Sequence, residues 1–183
     1  WTLNQDRQAS ALCAPLKGHT KMINTLAFCP KGRYLVSGSA DRTLRIWDCK
    51  DSTAREVQAL EDHRDSINTL AFSPDGAFLA SAGERGEIML WSFDFASGEA
   101  SLIRTLKSRG DVMSVAFSPD SQLLASAGDE SEVVLWQIPS GRRVLILRGH
   151  KESIRSVLFN SNGGSLVSAG DDKIIRCWRF GEI

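Results

Sequence analysis

The chain has 183 residues, 22 basic and 22 acidic side chains, and a hydrophobic content of 42%. That length supports a domain with a real core. The balanced charge lacks the basic excess that nucleic-acid binders gather on one face, so no nucleic acid is expected among the partners. No apolar run approaches the ~20 residues of a membrane helix and no signal segment opens the chain, so no membrane is expected either. Cys13, Cys29, Cys49 and Cys177 form no C-x-x-C pair, and only three histidines are present. Free thiols in a reducing, cytoplasmic compartment follow, with the nucleus as the other choice, and no metal or cofactor is expected. The chain starts at Trp1, not at methionine, and a segment upstream is expected.

The predicted elements repeat. Trp1, Trp47, Trp91, Trp136 and Trp178 are spaced 46, 44, 45 and 42 residues apart, near the ~40–45 residues of a four-stranded propeller blade. Residues 1–8 read as the tail of a preceding unit and 9–16 as an outer strand. The units then run over residues 9–48, 56–92, 102–137 and 143–179. Each opens its first strand on a β-branched residue (Ile23, Ile67, Val112, Ile154) and closes it on Phe28, Phe72, Phe117 or Phe159. A tight turn follows at Cys29-Pro-Lys-Gly32, Ser73-Pro-Asp-Gly76, Ser118-Pro-Asp-Ser121 and Asn160-Ser-Asn-Gly163. Proline presets φ there, and glycine, where present, accepts a positive one. A second strand carries Ser37, Ser81, Ser126 or Ser168, ten residues before each Trp. An acidic turn leads to the third strand, which ends in Trp, and outer strands are expected at Glu56–Leu60, Leu102–Leu106 and Arg143–Leu147. Apolar residues on both strand faces suit a blade wedged between two others. No stretch shows convincing helical periodicity.

These landmarks resemble the WD-repeat β-propeller family over essentially the whole chain. Gly18-His19 precedes Trp47-Asp48 and Gly149-His150 precedes Trp178, with 28 residues from His to Trp in both. His63 keeps that spacing to Trp91, although Asp62 replaces the glycine. The fold class implied is all-β, a propeller array of four four-stranded blades, as a partial ring or half of an eight-bladed one. The resemblance also implies a structural hydrogen-bond network in each blade. In the first it joins His19, Ser37, Asp41 and Trp47, and in the fourth His150, Ser168, Asp172 and Trp178. The second unit keeps His63, Ser81 and Trp91 but has Arg85 in the aspartate place. The third keeps Ser126 and Trp136, with Glu130 in the aspartate place, Arg109 in the histidine place and one residue fewer nearby. The second and third blades are therefore expected to lack the full network.

Serine, histidine and aspartate together invite a hydrolase reading. A triad needs one exposed serine beside an oxyanion hole, whereas this trio recurs at a fixed period inside strands, so no enzyme is expected. The glycine-rich turns match neither phosphate-binding fingerprint, and the aspartates do not match a calcium loop. Phe93 and Phe95 either tuck against the blade edge or form an apolar contact patch.

In this family the histidine loops and acidic turns share one end of the propeller, where partners dock. The expected partner-binding residues are Lys21, Arg64, Asp65, Glu84, Arg85, Arg109, Asp129, Lys151 and Asp171. Arg64, Arg85 and Arg109 are the expected arginine cluster, favouring a partner with acidic residues. The function expected is a non-catalytic scaffold for protein or peptide partners. The alternative is a sensor or recruitment fragment of a larger signalling or regulatory protein. Three closures remain open: residues 9–16 complete the fourth blade of the same chain, they do so in a homodimer with eight blades, or further blades lie elsewhere in a longer chain.

Overall fold

A computed structural model describes residues 14–50 and 53–180, together with the backbone of two short strands near the start. Those are β1 (Thr2–Leu3) and β2 (Ala9–Ser10), an antiparallel pair. Trp1, Cys13 and the rest of the predicted tail lie outside the described residues.

The first blade is a meander of β3 (Ile23–Phe28), β4 (Tyr34–Ser39), β5 (Leu44–Asp48) and β6 (Arg55–Leu60). The second runs through β7 (Ile67–Phe72), β8 (Phe78–Gly83), β9 (Glu87–Asp94) and β10 (Glu99–Lys107). The third contains β11 (Val112–Phe117), β12 (Leu123–Gly128), β13 (Glu132–Gln137) and β14 (Arg142–Arg148). In the fourth, β15 (Ile154–Phe159), β16 (Ser165–Gly170) and β17 (Ile175–Arg179) form a three-stranded sheet. The three outer strands observed are those expected, and the fourth blade has none among the described residues. β2 is laddered to β1, and β17 ends its sheet among the described residues.

The turns between first and second strands follow their residues. Gly32, Gly76 and Gly163 each donate a backbone N–H to the carbonyl three residues back and take φ of +80, +75 and +74. Ser121 adopts the same turn at φ +61 without glycine. A second device repeats in the first strand: a register shift between Ile23/Thr25, Ile67/Thr69, Val112/Ser114 and Ile154/Ser156. Such bulges raise local twist, which suits strands converging on a propeller axis.

The core lies between blades. Val36, Leu44 and Ile46 of the first blade pack on Ile67, Leu70 and Trp91 of the second. Ala80, Ile88 and Leu90 then meet Val112, Val115 and Trp136, and Ala125, Val133 and Leu135 meet Ile154, Val157 and Leu166. Polar bonds stitch the same seams: Asn24 Nδ2 donates to the Ile67 carbonyl at 2.8 Å and Asn68 Nδ2 to the Val112 carbonyl at 3.3 Å. Phe93 is buried edge-on against Phe72 and Tyr34, at 5.0 and 5.7 Å, and half-buried Phe95 packs on Tyr34 at 5.6 Å. The two phenylalanines therefore tuck into the seam with the first blade and form no free patch.

The end blades have bare faces. On the first, Met22, Ile23, Leu26 and Phe28 are exposed, and on the fourth Leu158, Ile174 and Ile175 are. Each would face a neighbouring blade if one were there.

Candidate functional site: the loop face

Each acidic turn holds a residue in the left-handed region five before the tryptophan, Arg42 at φ +73, Gly86 at +72, Ser131 at +58 and Lys173 at +63, and the second blade adds Arg85 at +55. The turn's geometry demands this, and only the second blade meets it with glycine, the residue that does so without strain.

Beneath the turn, the first blade brings its four network residues together. His19 Nε2 lies 2.7 Å from Ser37 Oγ, which accepts the Trp47 indole N–H at 2.9 Å. His19 Nδ1 lies 2.9 Å from Asp41, whose carboxylate also accepts from Thr20 N, Thr43 N and Thr43 Oγ1. Burial pushes the Asp41 carboxyl up, but the bonds from Thr43, Thr20 and His19 outweigh it and leave it well below the usual range. The fourth blade repeats the arrangement. His150 Nε2 is 2.8 Å from Ser168 Oγ, Nδ1 is 2.8 Å from Asp172, and the Trp178 indole donates to Ser168 at 2.9 Å.

The second blade differs from expectation. His63 Nε2 is 2.7 Å from Ser81 Oγ, and Trp91 donates to Ser81 at 2.9 Å. Arg85 points to solvent, and Glu87, two residues further on, supplies the acid. Its Oε2 lies 3.5 Å from His63 Nδ1 and accepts the Arg64 backbone N–H at 3.3 Å. These are the partners that Asp41 serves at His19 and Thr20, so the second blade keeps a complete but looser network. Burial lowers the His63 pKa, and the Glu87 carboxylate offsets this only in part.

The third blade keeps only the bond from the Trp136 indole to Ser126 Oγ, at 2.8 Å. The histidine place belongs to Ser108, not Arg109, and no residue is missing. Ser108 stands four residues before Val112, just as His19, His63 and His150 stand before Ile23, Ile67 and Ile154. Its N–H donates to the Gly86 carbonyl at 2.8 Å, fixing the loop against the second blade.

The expected contact residues fall into two groups. Several are engaged within the protein: Asp171 holds Arg155 through both its oxygens, Asp129 accepts from Ser153 Oγ at 2.7 Å, and Asp65 faces Arg85 Nε at 3.4 Å. Lys151 offers its backbone N–H to Asp172 at 3.2 Å. The others remain open. Lys21, Arg64 and Glu84 line a hollow between the first and second blades together with Arg42, and Arg42 and Arg64 also flank the adjoining hollow beside His63. Lys21, Arg42, Arg64 and Arg109 have no carboxylate within 4.0 Å among the described residues. Arg42 is the residue that sequence reasoning missed. Its signal was its place directly after Asp41, where the turn pushes the side chain outward. The expected cluster of Arg64, Arg85 and Arg109 is not one cluster, because Arg85 turns to Asp65 while Arg109 borders a separate cavity in the third blade.

Radially packed four-stranded meanders with their connecting loops gathered at one end define a β-propeller array built for surface recognition. The profile described as "WD domain, G-beta repeat" matches residues 10–48, 54–92, 100–137 and 141–179, and the chain belongs to the WD40 family. Similar proteins include a "Ribosome biogenesis protein BOP1 homolog" of Culex quinquefasciatus, 50% identical over 44 residues, covering 24% of this chain and 5% of that protein. "Ribosome assembly protein 4" of Saccharomyces cerevisiae is 47% identical over 38 residues, 21% of this chain and 7% of its own length. The shared length is about one repeat in each case.

Proposed function

We propose that this chain is a non-catalytic scaffold that holds protein or peptide partners on its loop face, with partner carboxylates meeting the cations between the first and second blades. The observation that carries this reading is the hollow where Lys21, Arg42 and Arg64, none within 4.0 Å of a carboxylate among the described residues, outnumber the two acids beside them, Asp65 and Glu84. Guanidinium groups held at such a site bind carboxylates through paired hydrogen bonds. The Ser–His–Asp trio supports a structural role, because Ser37 Oγ is buried and already engaged by His19 and the Trp47 indole. No attacking geometry remains for it.

Acidic and neutral peptides on an array separate this reading from a merely solvated face. Retention of acidic peptides at 0.15 M salt, weakened at least tenfold by Arg42→Gly/Arg64→Ala, is the expected result. Equal retention of neutral peptides overturns it.

The bare end faces support a second proposal, that other blades cover them, from a second copy or from a longer chain. A species at twice the 20.1 kDa chain mass in light scattering favours the homodimer, whereas a stable monomer at high concentration removes it. The names of the relatives point towards ribosome assembly and so towards the nucleus. The free thiols of Cys29 and Cys177 fit either reducing compartment. Co-sedimentation of the tagged chain with pre-ribosomal particles tests the assembly role, and a tag that stays with free protein removes it.

A further inference from the structure

The first and fourth blades share a feature that the other two lack. Two residues before the tryptophan stand Arg45 and Arg176, where the second and third blades have Met89 and Val134. Each arginine lies over the glycine that precedes the histidine. A Cβ on Gly18 would fall 2.6 Å from Arg45 Nη1, and one on Gly149 would fall 3.2 Å from Arg176 Nη1. In the other two blades Asp62 and Lys107 stand in the glycine's place. In the first blade, Arg45 Nη1 donates to Glu56 Oε2 on the outer strand β6. Glu56 faces Trp47 in the ladder, whereas the outer strands of the second and third blades place Leu102 and Arg143 opposite their tryptophans. Among the three four-stranded blades, the outer-strand acid occurs only where the arginine does.

The fourth blade has the arginine without the strand. β17 pairs with β16 alone, and its other edge is open among the described residues. The Nε of Arg176 is buried without a hydrogen-bond partner, as that of Arg45 is, but among the described residues no carboxylate reaches Arg176 as Glu56 reaches Arg45. Trp178 is half-buried, whereas Trp47, Trp91 and Trp136 are buried beside their outer strands. Ile175 is exposed at the place where Leu44, Ile88 and Val133 each face an outer-strand leucine, Leu60, Leu106 or Leu147. An open strand edge and a partly desolvated, unpaired guanidinium both favour an added strand that supplies a carboxylate. The chain's own candidate, residues 9–16, has Leu12 seven residues before His19, the place of Glu56 before His63. It brings no acid to Arg176, so the occupant that fits is a segment of another protein.

We propose that β17 is a docking edge for an extended segment of a partner protein, added as an antiparallel outer strand. The segment places a glutamate or aspartate opposite Trp178 for Arg176, and an apolar residue four positions on for Ile175. This extends the scaffold reading to a second surface and does not depend on the cations between the first and second blades.

The probe is a capped peptide with the sequence of residues 54–60, Ala-Arg-Glu-Val-Gln-Ala-Leu, titrated into the ¹⁵N-labelled chain of 183 residues. The expected result is a saturable shift of the Trp178 indole N–H, half complete on the order of 0.1–1 mM for a short strand ordered on binding. Amide exchange along β17 slows with it, while the Trp47, Trp91 and Trp136 indoles stay still. Glutamine in place of Glu56 in the peptide weakens binding about tenfold. Arg176→Met, which installs the residue type of the second blade, weakens the parent peptide equally and removes the difference between the two peptides. Arg176→Glu turns the preference toward a peptide with lysine in place of Glu56, so one poorly folded variant does not decide the matter. The Arg42→Gly/Arg64→Ala protein binds the parent peptide as the native chain does, which separates this edge from the loop face. A flat Trp178 titration, as a strand already supplied by this chain or a second copy would give, overturns the proposal. Equal binding of the glutamine peptide or of a peptide of residues 9–16 overturns it too, as does a Trp178 shift without slower exchange in β17.

Discussion

β3 and β7 have the same six residues, Ile-Asn-Thr-Leu-Ala-Phe, in the same place of adjacent blades. In β7, Ile67 is fully buried and Leu70 is 6% exposed, whereas in β3 Ile23 and Leu26 are 48% and 60% exposed. The asparagines behave alike, since both reach forward to a following blade. The apolar side chains face backward, and only β7 has a blade behind it. Identical local sequence thus acquires different energetic weight from its neighbour alone. The fourth blade shows the converse: Ile175 is 71% exposed where Leu44, Ile88 and Val133 are buried.

The sharpest test of that contrast is truncation. Leu70→Ala should cost about 2–4 kcal/mol of stability. The same change at Leu26 should cost about 0.5 kcal/mol or less in the isolated chain. Urea midpoints for the two variants measure the difference, and equal losses would show that something covers β3 in solution. Next comes the acid of each network. Asp41→Ala strands four donors and should cost about 2–3 kcal/mol, while Glu87→Ala strands two at longer range and should cost about 1 kcal/mol. Amide exchange at Thr20 and Arg64 reports each loss locally.

Acid should also act on the two blades in separate windows. Burial holds the folded-state pKa of His63 below its ordinary ~6.5, so the unfolded chain takes up the proton first. Stability in the second blade therefore falls as pH drops below about 6.5 toward the folded pKa, and His63→Gln should flatten the melting temperature between pH 7 and 5. In the first blade, the Arg33 guanidinium holds Asp48 at about 2. That contribution is complete above the unfolded value near ~4 and is lost as pH falls toward 2. Arg33→Gln should move the loss nearer pH 4 in an acid titration followed by tryptophan fluorescence. The smallest effect is at the strained turn. Arg42→Gly should stabilise by about 0.5–1 kcal/mol, because the second blade already uses glycine there. A thermal melt showing destabilisation would mean that the Arg42 side chain supports the fold.

The repeat made much of this legible in advance. The five tryptophans set the blade phase, and the serine ten residues earlier located the hydrogen-bond hub. The Pro/Gly turns marked where the first strand reverses. Reading Arg85 as a broken network failed because an acid two residues further on, Glu87, reaches the same histidine once the strand is folded. Placing Arg109 at the histidine position failed for a different reason: the same 28-residue count back from Trp136 reaches Ser108, a residue that leaves no chemical mark of its own.

What the sequence by itself determined is therefore whatever depends on residues close along the chain: strand, turn, phase and the pairing of each tryptophan with its serine. Tertiary structure alone decided which apolar faces are buried and which cations stay unpaired at the seam of the first two blades. The physical reason is that burial and charge pairing depend on what lies across a seam between blades, and residues some forty positions apart along the chain meet only there.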